Sequence, residues 1–406
     1  MNQRPPKMRA AAAAPGHSVQ DFLSGLVWPR FFAIPRIAAS ASNLLVGALA
    51  VSGLMMANAL PRWVGLTPKE DPGALAAWFG LGSANVTNGF GAITRGDGAG
   101  LLRAGGELLV TTPLGMMRAA PWATLITLVL AALTVALCGH AIARGTALAV
   151  GGVATGSFVR RLRGASRMLP SLIGVMTVPL VLTPLCVLVV EAVGYVLLRV
   201  EYLQVVGSLL LFIPLVLSLA AVAFLMLGLL GLPIFIAALA CESSDATDAL
   251  QRSFAYALKG SVRLIGYYAL AAAIGVVAVG FAVLLASAVT FCFLQATPAW
   301  LPAEVVRSFE GQGDSQTLPQ RVTGAIAGWW SLVPGAIAMG YLFSYIMTAA
   351  TFCYLGVRRV VDGQDMGEVW VADGATAQSP QTRADTKRRR EEREAQEDES
   401  AEEREG

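Results

Sequence analysis

Six long apolar blocks, parted by charged or polar breaks, leave this chain very few architectures. They cover approximately residues 38–60, 121–141, 172–190, 206–240, 265–293 and 325–352. About 20 apolar residues at helical rise cross the hydrocarbon core of a bilayer, and each block meets or nearly meets that length. The bulk composition agrees: 14% of residues are charged, against about 25% in soluble domains. The expected fold class is therefore all-α, a polytopic transmembrane helical bundle of about six spans, with interfacial helices and a disordered charged tail. The lipid bilayer is the first expected partner.

Orientation follows from the basic residues near span ends, where short loops weigh most. Arg4, Lys7, Arg9, Arg30 and Arg36 precede the first block. Arg144, Arg160, Arg161, Arg163 and Arg167 fall between the second and third with no acid among them. Arg252, Lys259 and Arg263 lie between the fourth and fifth, and Arg358 and Arg359 follow the last. The short loops of the opposite side are poorer, with Arg199, Arg307 and Arg321; the long first loop holds five basic residues, but long loops translocate largely regardless of charge. This pattern predicts a cell inner (cytoplasmic) membrane protein with both termini in the cytoplasm. No signal-peptide pattern precedes the first block, so that block is expected to remain as a helix.

The domain plan then reads along the chain. Residues 1–36 form a cytoplasmic segment with an interfacial helix, and 37–60 form the first span. Residues 61–120 are an extracytoplasmic loop, and 121–355 hold spans two to six with a cytoplasmic elbow helix at 245–259. Residues 356–406 are a cytoplasmic tail, disordered after about 372, where a basic run gives way to an acidic one. Ser18 and Asp21 have capping-box spacing. Trp28, Arg30, Phe31 and Phe32 suit the headgroup zone and make anchoring the expected job of the helix before span one. The fourth block contains Gly231 and Pro233. It reads either as one kinked helix or as a span followed by a short helix. In the 61–120 loop, apolar clusters at 75–81 and 108–117 are expected to dock on the helices or the membrane surface.

The elbow is the most patterned polar segment. Asp245 can cap a helix that carries Asp248 in its first turn. Ala246, Ala249, Leu250, Phe254, Ala257 and Leu258 recur on one face. Asp248 and Arg252 form an acid-first i,i+4 pair on the other face, and Lys259 with Gly260 gives a basic last turn and a stop.

Three stretches carry a resemblance: 21–35 (DFLSGLVWPRFFAIP), 239–260 (LACESSDATDALQRSFAYALKG) and 353–369 (CYLGVRRVVDGQDMGEV). Together they resemble a group of six-span planctomycete membrane proteins of unknown function. The middle stretch is also loosely similar to the membrane domain of glycerophosphodiester phosphodiesterases, through Glu242, Ala249, Leu250, Arg252 and Ser253. The catalytic barrel of those enzymes has no counterpart here, so the resemblance implies topology and no hydrolase chemistry.

Candidate chemistry is sparse. Glu191 is the one carboxylate flanked on both sides by apolar sequence, and an ionisable residue in a membrane is a functional suspect by default. Its place at the outer end of span three favours a solvated or paired headgroup position. His140, near the cytoplasmic end of span two, reads as interfacial polar trim. The five cysteines, with no CxxC pair and only two histidines in the chain, argue against a disulfide framework or a zinc site and read as packing residues. Gly151 to Ser157 lacks the P-loop lysine and reads as a linker. Gly275, Gly280, Ala286, Ser287, Gly335, Ala338 and Gly340 permit close helix contact in spans five and six.

No catalytic, cofactor-binding or metal residues are expected, and no nucleic-acid partner. Glu242, Asp245, Asp248, Arg252, Tyr256 and Lys259 form a candidate partner or coupling elbow, with Glu191 and His140 as intramembrane polar candidates. The favoured expectation is a non-enzymatic scaffold or accessory protein that meets other membrane proteins. The rivals are a permease subunit that couples through the elbow and a lipid-acting enzyme that uses Glu191.

Overall fold

The computed structural model describes residues 28–68, 73–107, 111–153, 156–199, 204–242, 245–300 and 318–369. Among these the regular elements are all helical. A 3-10 turn, Trp28–Ala33, runs into α1 (Ile34–Ala38) and α2 (Ala41–Trp63). Three helices follow, α3 (Ala74–Arg95), α4 (Gly98–Gly106) and α5 (Thr112–Ala119). Then come α6 (Pro121–Val150), α7 (Phe158–Arg167), α8 (Leu169–Arg199), α9 (Gln204–Leu209) and α10 (Phe212–Glu242). The elbow helix α11 (Ala246–Lys259), α12 (Ser261–Trp300) and α13 (Leu318–Asp362) complete the order.

Among the described residues, four helices are long and apolar enough to cross a membrane: Ala41–Trp63, Pro121–Val150, Ser261–Ala296 and Ile326–Asp362. The described parts of α8 and of α9–α10 supply shorter apolar stretches, Leu185–Val196, Gly207–Val222 and Pro233–Glu242. The fourth block resolves into the short α9 and the continuous helix α10, with Pro233 inside it.

The last helix organises the packing. In α13 67% of the most apolar window is buried, against 11% in α12, so α13 is central and α12 peripheral. Helix α13 touches α2, α6, α10 and α12, while α6 packs on α2 and α10, and α10 on α8. Small residues set the closest approach. A Cβ on Gly340 would stand 2.8 Å from the Ala48 backbone nitrogen, and one on Gly47 would overlap the Gly340 carbonyl. Gly275 faces the Tyr345 ring, whereas Gly280 and Gly335 face open space and take no part in helix contact. Side-chain hydroxyls bond across the seams, where lipid offers no alternative partner. Thr127 donates to the Ala57 carbonyl at 3.3 Å, Ser344 to Ala38 at 2.9 Å and Tyr345 to Ala271 at 2.6 Å.

The core is concentrated at the end that carries the elbow. Its members include Ile142 of α6, Ile234 to Leu239 of α10 and Phe352 to Leu355 of α13. Phe31 belongs to it as well, wholly buried and ringed by Tyr267 and Phe352 at 5.2 and 5.9 Å. That corrects the headgroup placement expected of Phe31, since the neighbouring Phe32 is the ring left exposed. The described residues of the loop between the first two blocks are mostly helical. Asn58 of α2 accepts from the Leu75 and Ala76 backbone at the start of α3, at 3.0 and 3.4 Å, which satisfies orphan amides there. Cys138, Cys241 and Cys353 pack in the core, while Cys292 is exposed on α12. The capping box at Ser18 and the charged tail beyond 369 lie outside what the structure describes.

Candidate functional site

The elbow end gathers most of the ion pairs among the described residues. Helix α11 forms where the sequence places it. Asp245 stands at its N-cap in extended backbone, Asp248 is in the first turn, and Lys259 precedes the stop at Gly260. The Asp245 side chain makes no capping bond, so the expected cap is positional only. One face, Ala249, Leu250, Ser253, Tyr256 and Ala257, is buried against α8, α10 and α13. Leu258, expected on that face, is 67% exposed. Helical geometry sets Leu258 about 140° round the helix from the buried Ser253, whereas Tyr256 falls on the buried arc.

Glu242, the last residue of α10, is the hub. Its Oε2 lies 2.6 Å from Arg252 Nη1 of α11, and its Oε1 lies 3.8 Å from Arg358 Nη1 of α13. The wholly buried Tyr354 donates its hydroxyl to the same Oε1. Arg252 Nε also reaches Asp248 Oδ1 at 3.0 Å, the i,i+4 pair read from sequence. Beside Glu242 the Arg252 guanidinium is held above its ordinary pKa, chiefly by that carboxylate. A second tie runs from the Tyr256 hydroxyl to Asp362 at the end of α13. Burial first, and then that bond, push the Tyr256 phenol up.

Arg358 extends the network beyond α13. It is 3% exposed, and its Nη2 donates to the Asp365 carbonyl at 3.2 Å and to the Glu368 carbonyl. The turn after α13 folds back beneath the helix end as a result. Asp365 then faces Arg30 at 3.4 Å and Arg359 at 4.0 Å, which ties the segment before α1 to the end of the chain's last helix. Burial raises the Asp365 carboxyl, but the Gly367 amide together with Arg30 and Arg359 outweighs it, and the group is held below its ordinary 3.8. Its folded value is the lower one, so its stabilisation is full above about pH 4 and fades on acidification through the folded value. A pH series of tryptophan fluorescence should therefore show this contact unchanged from neutral pH down to about 4. A loss that begins near pH 6 would contradict it.

Chemically, this is a set of neutralised carboxylates. Glu242 receives three donors, and Asp248, Asp362 and Asp365 each meet an arginine or a tyrosine. Each of these carboxylates is engaged by a cation or a phenol, which makes the set a clamp between helices. Among the described residues, no group of three or more His, Cys, Asp or Glu side chains could hold a metal ion.

The other two sequence candidates lie elsewhere. Glu191 is 63% exposed at the far end of α8 and lies 3.9 Å from Arg118, itself 76% exposed on α5. That is a paired surface position whose partner comes from the loop; the neighbouring Arg199 stacks instead on the Tyr195 ring at 4.6 Å. Glu191→Gln should shift thermal stability by less than about 0.5 kcal/mol and leave the cell's lipid profile unchanged. A changed lipid profile would restore Glu191 as a reacting group.

His140 corrects the sequence reading: it is 5% exposed, inside the helix packing and not at the interface. Its Nδ1 has no hydrogen-bond partner among the described residues. The residues that sequence reasoning missed are Tyr354, Arg358, Asp362 and Asp365. The only signal pointing to them was the 353–369 stretch of the resemblance, which gave no reason to pair it with the elbow. No protein-family model, curated protein or solved structure matches the chain.

Proposed function

We propose that this protein is a non-enzymatic scaffold or accessory protein of the cell inner membrane, with six spans and both termini cytoplasmic. The observation that carries the reading is the closed polar network at the elbow end. Its carboxylates, paired with arginine or tyrosine, hold α10, α11 and α13 together. A rigid end of this kind suits a surface on which other membrane proteins assemble. The basic segments between the second and third blocks and around the elbow support the cytoplasmic placement of that end. The kinship with the six-span planctomycete proteins belongs to the same proposal and rests on the three stretches quoted above.

The test is a tagged purification in mild detergent with the co-purifying proteins identified by mass spectrometry. A stoichiometric membrane protein without nucleotide-hydrolysing activity supports the scaffold reading. A stoichiometric ATPase or second permease would replace it with a transport subunit, and the exposed side of α11 around Gln251 and Lys259 would become the contact to mutate. Reporter fusions at residue 68 and at the chain's end check the topology. Reporters on the same side of the membrane would overturn it.

A further inference from the structure

Helix α7 has no part in the elbow clamp, yet it places four arginines in ten residues, FVRRLRGASR. The chain holds no Asp or Glu anywhere from 108 to 190, so nothing local neutralises them. Arg160, Arg163 and Arg167 are exposed and, spaced i, i+3 and i+7, form one stripe. No carboxylate among the described residues lies within ion-pair distance of any of the four.

Arg161 points the other way and fixes the roll of the helix. It is 5% exposed, and its Nη1 donates to Asn43 Oδ1 at 2.7 Å and to the Ala141 carbonyl at 3.3 Å. Gly145 makes the room, since a Cβ there would overlap the guanidinium. The Nε and Nη2 of Arg161 have no partner among the described residues. A buried cation without a counter-charge is costly, and a fixed layer of negative charge beside α7 would offset that cost.

We propose that the α7 stripe binds the phosphate headgroups of anionic lipids in the leaflet at the elbow end. This rests on the reading that the long apolar helices span the membrane. Three features favour a lipid as the occupant. The helix follows directly on the membrane-length α6; Phe158 and Val159 at its start are exposed apolar residues that can enter the acyl boundary; and guanidinium forks match phosphate oxygens in pairs. The stripe draws the headgroups in, and Arg161 holds it facing them.

The test uses the full chain in mild detergent, titrated with phosphatidylglycerol or phosphatidylcholine and read by native mass spectrometry. The unmodified protein should retain phosphatidylglycerol in preference. The variant Arg160→Gln/Arg163→Gln/Arg167→Gln, changed only at exposed positions, should bind it about tenfold or more weakly with an unaltered melting temperature. A variant that keeps the preference, or an unmodified protein that shows none, overturns the proposal. Millimolar inorganic phosphate should leave the lipid adducts in place. If it displaces them, the stripe binds free anions and the lipid assignment is wrong. Alkaline carbonate extraction of cell membranes separates the two failures: release of the chain would sink the spanning reading, whereas retention with no lipid preference would sink only this one.

Discussion

Replacing Glu242 by glutamine is expected to destabilise the protein by about 3 kcal/mol, the low end for breaking a buried ion pair. The substitution keeps size and an acceptor for the Tyr354 hydroxyl but removes the charge. Arg358, 3% exposed, has no other carboxylate in ion-pair range among the described residues, and its further contacts are the Asp365 and Glu368 carbonyls. An uncompensated guanidinium would then lie inside the helix packing. The effect falls at the low end because the Glu242 side chain keeps 11% exposure and the Arg358 contact is 3.8 Å long. Thermal unfolding in detergent measures it, with Asp248→Asn as the comparison. The Asp248 side chain is 43% exposed, and its loss should cost less than about 1 kcal/mol. Adding Arg358→Met to Glu242→Gln removes the stranded charge but also the donor to the Asp365 and Glu368 carbonyls, so it should recover part of the loss. Equal melting of Glu242→Gln and the unmodified protein would show that Glu242 does not neutralise Arg358.

Gly340→Val should be as damaging by a different route. The new Cβ would press on the Ala48 nitrogen at 2.8 Å and on the Gly47 carbonyl carbon at 3.1 Å. Both are backbone atoms of α2, so no rotamer change relieves the overlap and the two helices must part. Overpacking costs about 1–3 kcal/mol where side chains can adjust, and here the cost should reach or pass that upper figure. Parting α2 from α13 also threatens the Ser344 bond to Ala38. Gly335→Val on the same helix meets nothing within 4 Å and should be nearly neutral. Size-exclusion profiles after graded heating distinguish the two. If both variants behave alike, the α2–α13 approach is not as close as described.

The elbow illustrates how far a sequence carries. Its helix, the Asp248–Arg252 pair and the Lys259–Gly260 stop were legible because each is a relation between residues at most four apart. The hub at Glu242 was not, because Tyr354 lies 112 positions away and no periodicity links residues across that distance. His140 failed for the same reason. Its distance from the span end was readable, but whether that turn of α6 faces a neighbouring helix or the interface depends on where α10 and α13 lie. Leu258 departs from its expected face because 3.6 residues per turn sets it about 140° from Ser253, the centre of the arc that buries Ala249, Leu250, Tyr256 and Ala257.

The sequence by itself determined that the chain is helical, where its long apolar segments fall and how the elbow starts and stops. Those properties come from local backbone hydrogen bonding, apolar run length and charge near helix ends, all of which act over a few residues. Only the tertiary structure decided that α13 is the central helix, that Gly47 and Gly340 form its contact with α2, and that Arg358 closes the elbow network. It also decided that Arg161 enters the packing while Arg160, Arg163 and Arg167 remain outside. Those outcomes depend on which helix faces meet, and the complementarity of two faces is a property of the pair that neither segment carries alone.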